Sequence, residues 1–132
     1  MYRFDDWATA DAVIVVEEKS LEKLFETAGI ALENLMVDGV DCKEKKEIHV
    51  SSNTVEGLMF SWLNELIYLK DAENFFFKSF DVKINGNELV AVGCGEKFND
   101  NMKSKHDVKS CTYHKLKIEK NDGWKAQIVV DL

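Results

Sequence analysis

The sequence predicts an α+β fold in which two amphipathic helices pack on a mainly antiparallel sheet. Apolar residues recur at helical spacing in two segments, 21–37 and 54–70. Runs of β-branched and aromatic residues lie before, between and after these segments. Short turn sequences at 85–86 and 121–123 join pairs of such runs into hairpins. A sheet covered by both helices is the economical way to bury both apolar stripes.

The chain length and charge limit the classes of protein that the sequence can encode. With 132 residues, we expect a single domain spanning 1–132. The net charge of −7 argues for little or no direct nucleic-acid binding and favours a cation or a basic partner protein. The sequence opens without a signal-peptide pattern, and no apolar run approaches the roughly 20 residues of a membrane span. We therefore expect no membrane insertion.

The cysteine pattern suggests a compartment. Cys42, Cys94 and Cys111 form an odd set without a CxxC pair. Such a set indicates reduced thiols and hence a cytoplasmic protein.

The first half of the chain predicts a strand, a helix, a second strand and a second helix. Asp11 stands at the entrance of the β-prone run 12–16, and Ser20 is a suitable N-cap for the helix over 21–37. We place Glu26 and Glu33 mainly on the solvated side of that helix. A short strand over 47–50 follows. The helix over 54–70 begins with a capping box, for which we name Asn53 and Glu56, and buries Trp62 and Leu63 most deeply.

The second half predicts two hairpins, 75–94 around Asn85-Gly86 and 108–132 around the loop 121–123. We place Gly123 in the left-handed conformation, which glycine adopts without strain. The loop length pairs residues as follows: Lys120 with Trp124, Ile118 with Ala126, Leu116 with Ile128, and His114 with Val130. Trp124, Ile128 and Val130 then face the core and Asp131 faces away, while His114 becomes a hydrogen-bonded core histidine.

Two candidate sites built on cysteine and histidine are disfavoured. Cys111 and His114 are three residues apart, so on a strand they point to opposite faces, which favours ordinary strand packing over a nucleophile–base pair. A zinc site that combines Cys94 and Cys111 with His106 and His114 lacks the tight paired spacing of structural zinc motifs.

Asp11 and Asp131 form a more plausible pair, because a strand entrance and a strand end can be neighbours in a sheet. Their carboxylates, with a terminal oxygen of Leu132, would make an all-oxygen cluster suited to Ca²⁺, Mg²⁺ or Mn²⁺. Spacing alone, however, favours two solvated aspartates.

Six segments, in this order and spread over nearly the whole chain, resemble the archease family: Thr9-Ala10-Asp11, LEKLFETAGIALENLMVD (21–38), LNELIYL (63–69), Gly95-Glu96-Lys97-Phe98, Thr112-Tyr113-His114 and Val130-Asp131-Leu132. The resemblance implies a small cytoplasmic protein that activates the GTP-dependent RNA ligase of tRNA splicing. It would promote guanylylation of the ligase's own histidine and repeated turnover, without being an enzyme itself.

The resemblance also implies a metal site. Asp11 matches the aspartate of the family's His-Thr-Ala-Asp motif, Asp131 matches the penultimate aspartate, and Leu132 matches the residue that lends a backbone oxygen to the metal. Ala8 stands where the family usually has the histidine. An alternative, a metal-binding module or metal chaperone without a ligase partner, would use the same aspartates. A stand-alone metal-dependent hydrolase is disfavoured because no nucleophile or base can be named.

Overall fold

The computed structural model describes residues 1–8 and 11–132. Along these residues the elements follow in the order β1 (Tyr2–Ala8), β2 (Asp11–Glu18), α1 (Leu21–Met36), β3 (Val37–Asp38), β4 (Glu44–Ser51), α2 (Val55–Glu73), β5 (Phe75–Asn85), β6 (Glu88–Lys97), β7 (Lys103–Ser104), β8 (Ser110–Lys120) and β9 (Trp124–Asp131). The predicted α+β class, with two helices on mainly antiparallel sheets, is confirmed. Strand β1 was not predicted as a strand. Its sequence contains two adjacent aspartates, Asp5 and Asp6, which have low β-propensity.

Two antiparallel sheets pack against the helices. The larger has the strand order β1–β2–β9–β8 and the smaller has the order β4–β6–β5, while β3 and β7 form a two-stranded ladder. One core contains the inner faces of both sheets and the apolar stripes of both helices. Trp62 and Leu63 of α2 are fully buried in it, as predicted. The Trp62 indole nitrogen donates to the Phe25 carbonyl oxygen at 2.9 Å, which ties α2 to α1.

Both helices begin with a side-chain cap. Ser20 caps α1 as predicted, since its hydroxyl accepts from the Lys23 backbone N–H at 3.2 Å. Thr54, not Asn53, caps α2 and accepts from the Gly57 N–H at 3.0 Å. Helix α2 also runs three residues past the predicted end, to Glu73, and Asn74 ends it as a C-cap with a left-handed backbone (φ 54°). In the part of the chain that is described, neither helix has the length and apolarity that a bilayer crossing requires.

Helix α1 covers the outer edge of β5 with two carboxylates. Glu26 Oε2 accepts from the Val82 N–H at 2.9 Å, and Glu33 Oε1 accepts from the Phe77 N–H at 3.0 Å. The solvated position predicted for these glutamates is therefore wrong, because both are buried against β5. They lie two helical turns apart and so share one face. Each satisfies a main-chain donor that an edge strand would otherwise leave unpaired.

Helix α2 covers the outer edge of β8 in a similar way. The Asn64 amide oxygen accepts from the Cys111 N–H at 2.9 Å, and its amide nitrogen donates to the Cys111 carbonyl oxygen at 3.1 Å. One side chain thus satisfies both outward main-chain groups of Cys111 and fixes this part of β8 on the helix.

Replacing Asn64 with alanine should lower the free energy of unfolding by about 1–3 kcal/mol, because two partly buried main-chain groups lose their partner. Urea denaturation measures the change. Exposed Asn53 gives the matched control, and Asn53→Ala should stay within about 0.5 kcal/mol of wild type. An Asn64→Ala variant as stable as wild type would show that water replaces the amide at no cost.

The C-terminal hairpin follows the predicted register near its turn and departs from it further on. Lys120 pairs with Trp124 and Ile118 with Ala126, as predicted. Cys111, not His114, pairs with Val130, because residues 113–116 bulge out opposite Ile128. The bulge has its own support: the His114 N–H donates to Thr112 Oγ1 at 2.9 Å, and Gln127 Nε2 donates to the Lys115 carbonyl oxygen at 3.0 Å.

The bulge overturns two predictions at once. The predicted pairs of Leu116 with Ile128 and of His114 with Val130 are wrong. His114 is exposed, so the predicted core histidine is also wrong. Lys115 has a left-handed backbone (φ 58°), which a regular strand does not contain.

Position 123 favours glycine because the backbone of Glu18 approaches it closely, and not because it needs a left-handed backbone. Gly123 is absent from the described glycines with positive φ, which are Gly39 and Gly86, so its predicted left-handed backbone is wrong. A Cβ at this position would lie 2.9 Å from the Glu18 carbonyl oxygen.

Cys42 and Cys94 form a disulfide with a Cα–Cα distance of 5.0 Å. The predicted reduced state is therefore wrong for this pair, and only Cys111, which is buried, is a free thiol. Spacing along the sequence could not reveal the pair, because the pairing of β4 with β6 brings the two cysteines together. The prediction of a cytoplasmic protein loses this support.

Candidate metal centre

Asp11 and Asp131 are direct partners in the larger sheet. Strands β2 and β9 run antiparallel, and their register places Asp11 opposite Asp131. Opposite residues of an antiparallel pair point to the same face, with Cβ atoms roughly 4.5–5.5 Å apart. The prediction that this strand entrance and strand end are neighbours is confirmed.

The aspartate pair lies on the face of the sheet that points away from the helices. The next pair along the strands, Ala12 and Val130, is buried in the main core. Because side chains alternate along a strand, the two aspartates take the opposite face. Ile128 and Val130 are buried in the core and Trp124 packs against it, so the predicted orientation of Asp131 relative to these residues is confirmed. Both aspartates are partly exposed and accessible to an ion.

The pair belongs to a row of four residues that crosses the whole sheet. Ala8 of β1 pairs with Asp11, Asp11 with Asp131, and Asp131 with Ser110 of β8. The Ser110 hydroxyl donates to Asp131 Oδ2 at 3.1 Å. Ser110 is not among the predicted site residues, because only the register beyond the bulge places it beside Asp131. Thr9 and Ala10, the other residues of the Thr-Ala-Asp motif, lie outside the described residues.

The end of β9 is held on both sides. The Lys109 N–H donates to the Asp131 carbonyl oxygen at 2.8 Å, which extends the ladder by one residue. Leu132 follows β9 and packs, partly buried, against the main core. These contacts fix the backbone from which Asp131 projects.

The available ligands are two carboxylates with neighbouring oxygens. Among the described residues, no group of three or more histidine, cysteine, aspartate or glutamate side chains is arranged to hold a metal. Mg²⁺ is commonly bound by one or two carboxylates, with waters and substrate phosphates completing its coordination. The aspartate pair therefore fits a hard cation that shares its remaining positions with water or with a ligand of another molecule.

Cys111 lies next to Ser110 but is unsuited to nucleophilic chemistry. Burial, together with the nearby charge of Asp131, raises the pKa of its thiol to about 12. The thiol therefore stays protonated at neutral pH. Since His114 is exposed in the bulge and Cys111 is buried, the structure agrees with the sequence analysis in disfavouring a Cys–His pair.

Fold and site together define a small α+β protein with paired aspartates, a candidate cation site, at one end of its larger sheet. The model of the archease protein family (MTH1598/TM1083) matches residues 2–132. The chain belongs to the archease family.

Individual relatives are similar over nearly their whole length. A protein archease of Pyrococcus abyssi is 40% identical over 133 residues, which cover 94% of both chains. The solution structure of protein 1598 from Methanobacterium thermoautotrophicum has a TM-score of 0.85 and 31% identity, covering 99% of this chain and 98% of its own. The crystal structure of an archease and possible chaperone from Thermotoga maritima has a TM-score of 0.71 and 27% identity, covering 98% of this chain and 97% of its own.

Proposed function

We propose that this protein activates the GTP-dependent RNA ligase of tRNA splicing, promoting guanylylation of the ligase and its repeated turnover. Asp11 and Asp131 hold a divalent cation, Ca²⁺, Mg²⁺ or Mn²⁺, with a backbone oxygen from Leu132. Membership of the archease family supports this role, and the description of a relative as a possible chaperone agrees with a protein partner. The observation that carries the proposal is the direct pairing of Asp11 with Asp131 across β2 and β9.

The two aspartates provide a site that another molecule can complete. They lie on the face away from the helices and are partly exposed, so a second protein can approach them. A bound cation would offset charge on a nucleotide triphosphate during attack by the ligase histidine. The net charge of −7 favours association with a basic surface, as expected of a ligase that binds RNA.

In this role the chain is an accessory protein and not an enzyme. It supplies ligands and an acidic surface, while the ligase supplies the histidine nucleophile and the RNA site. The protein then needs little or no nucleic-acid contact of its own and works where the ligase works, in the cytoplasm.

The test is a ligation assay with the tRNA-splicing ligase, GTP and a divalent cation. A substoichiometric amount of this protein should increase product well beyond one turnover per ligase and should raise the guanylylated fraction of the ligase. Bovine serum albumin at the same concentration controls for nonspecific stabilisation. No increase at any ratio, in a protein that still binds the cation, would favour the metal-binding module or metal chaperone instead.

A further inference from the structure

We propose that Ser110 is a positioning residue of the metal site, which orients the Asp131 carboxylate so that Asp131 and Asp11 meet on one cation. This inference rests on the metal-binding part of the proposed function and adds a residue that lies outside the six segments by which the chain resembles the family. It begins from one contact: the Ser110 hydroxyl donates to Asp131 Oδ2 at 3.1 Å. That bond occupies one carboxylate oxygen and leaves the other for the ion.

The backbone around Ser110 is held on both sides. The preceding residue, Lys109, donates its N–H to the Asp131 carbonyl oxygen at 2.8 Å. The following residue, Cys111, has both outward main-chain groups bound to the Asn64 amide of α2. The hydroxyl therefore projects from a fixed point, and a fixed donor restricts an aspartate rotamer more than a mobile donor does.

The bulge in β8 is what brings Ser110 to this position. If the register at the turn continued without interruption, Tyr113 would lie opposite Asp131. Because residues 113–116 bulge out, Tyr113 moves away and stacks on Phe60 at 4.0 Å between ring centroids. Ser110 takes the place opposite Asp131. Bulges commonly re-aim side chains beside functional sites, and this one exchanges a bulky ring for a short hydroxyl.

The row of four residues ends in one apolar and one polar residue. At one end of the row stands Ala8, where the resemblance to the family leads us to expect a histidine. At the other end stands Ser110. Of the two outer residues of the row, Ser110 is the one with a polar side chain, and that side chain bonds Asp131.

Calorimetric titration of the full-length protein with MnCl₂ and, separately, with CaCl₂ tests the inference. Ser110→Ala should weaken cation binding about 10–100-fold, as loss of an outer-shell partner does. Ser110→Thr keeps the hydroxyl and should bind within about threefold of wild type. Ser79→Ala, at an exposed position on β5, is the matched control and should leave the affinity unchanged. An affinity of Ser110→Ala within twofold of wild type would overturn the inference.

A second measurement needs no metal. Three-bond couplings in the metal-free protein report the χ1 rotamer of Asp131, which should be single in wild type and in Ser110→Thr but averaged in Ser110→Ala. Equal couplings in all three proteins would refute the positioning role. If wild type bound neither cation, the metal part of the proposed function would fail, and the coupling data would still decide whether Ser110 orients Asp131.

Discussion

Replacing Asp11 or Asp131 with asparagine should abolish activation of the ligase, while the free energy of unfolding stays within about 1 kcal/mol of wild type. Asparagine keeps the shape of the side chain but removes the charge on which a hard cation depends. Both aspartates are partly exposed on the face away from the helices, so neither supports the core.

The double variant should be little worse than either single variant, because two ligands of one ion act as a unit. Multiple-turnover ligation with GTP measures activation, calorimetry measures cation binding, and urea denaturation measures stability. Asp81→Asn, at an exposed aspartate on β5, is the matched control and should activate normally. Full activation by both single variants would rule out a role for the pair.

The free energy of unfolding should decrease as pH rises from about 5 to 8, and Glu33 should cause much of the decrease. Burial raises the pKa of the Glu33 carboxyl to about 8, although the hydrogen bond from the Phe77 N–H and the charge of Lys70 oppose the shift. Oε1 accepts that hydrogen bond, while Oε2 is buried with no partner among the described residues. The folded protein therefore favours the neutral acid.

The free energy of unfolding falls with pH because the folded and unfolded states bind protons differently. Between the ordinary glutamate pKa and the raised value, the folded state holds a proton that the unfolded state has lost, so raising the pH favours unfolding. One such group changes stability by at most about 1.4 kcal/mol per pH unit in this window. The stabilising effect of the proton is present at low pH and is lost as pH rises through about 8.

Urea denaturation between pH 5 and pH 8 measures this slope. Glu33→Gln keeps an acceptor for Phe77 and cannot titrate, so its slope should be shallower by about 1 kcal/mol per pH unit. Glu47→Gln, at an exposed position on β4, should retain the wild-type slope. Equal slopes for Glu33→Gln and wild type would show that Glu33 is ionised in the folded protein across this range.

The elements predicted correctly are those that leave a periodic signal in the sequence. Both helices and both hairpin turns follow from spacing and turn residues, because burial of one face imposes that spacing. The bulge at 113–116 leaves no such signal. It depends on side-chain bonds from Thr112 and Gln127 to main-chain groups, and any sequence rich in polar residues could contain them.

Glu26 and Glu33 show a second limit of sequence patterns. Charged residues on an amphipathic helix are normally solvated, so their positions predict exposure. Here each one binds a main-chain N–H of β5, a partner far away in sequence. The aspartate pair was accessible to sequence analysis through the family motifs at the two ends of the chain. Ser110 was not, because its role depends on the register that the bulge sets.

The way in which the helices cover β5 and β8 bears on self-association. An uncovered outer strand can template another chain, and here side chains of α1 and α2 occupy main-chain groups of these two strands. The remaining outer strands are β1 and β4. Strand β4 opens with Glu44, Lys45, Lys46 and Glu47, and mixed charge of this kind discourages edge-to-edge polymerisation. Because β5 and β8 are covered in this way, molecules of this protein should not pair edge to edge through these strands and form fibrils, even in a concentrated solution.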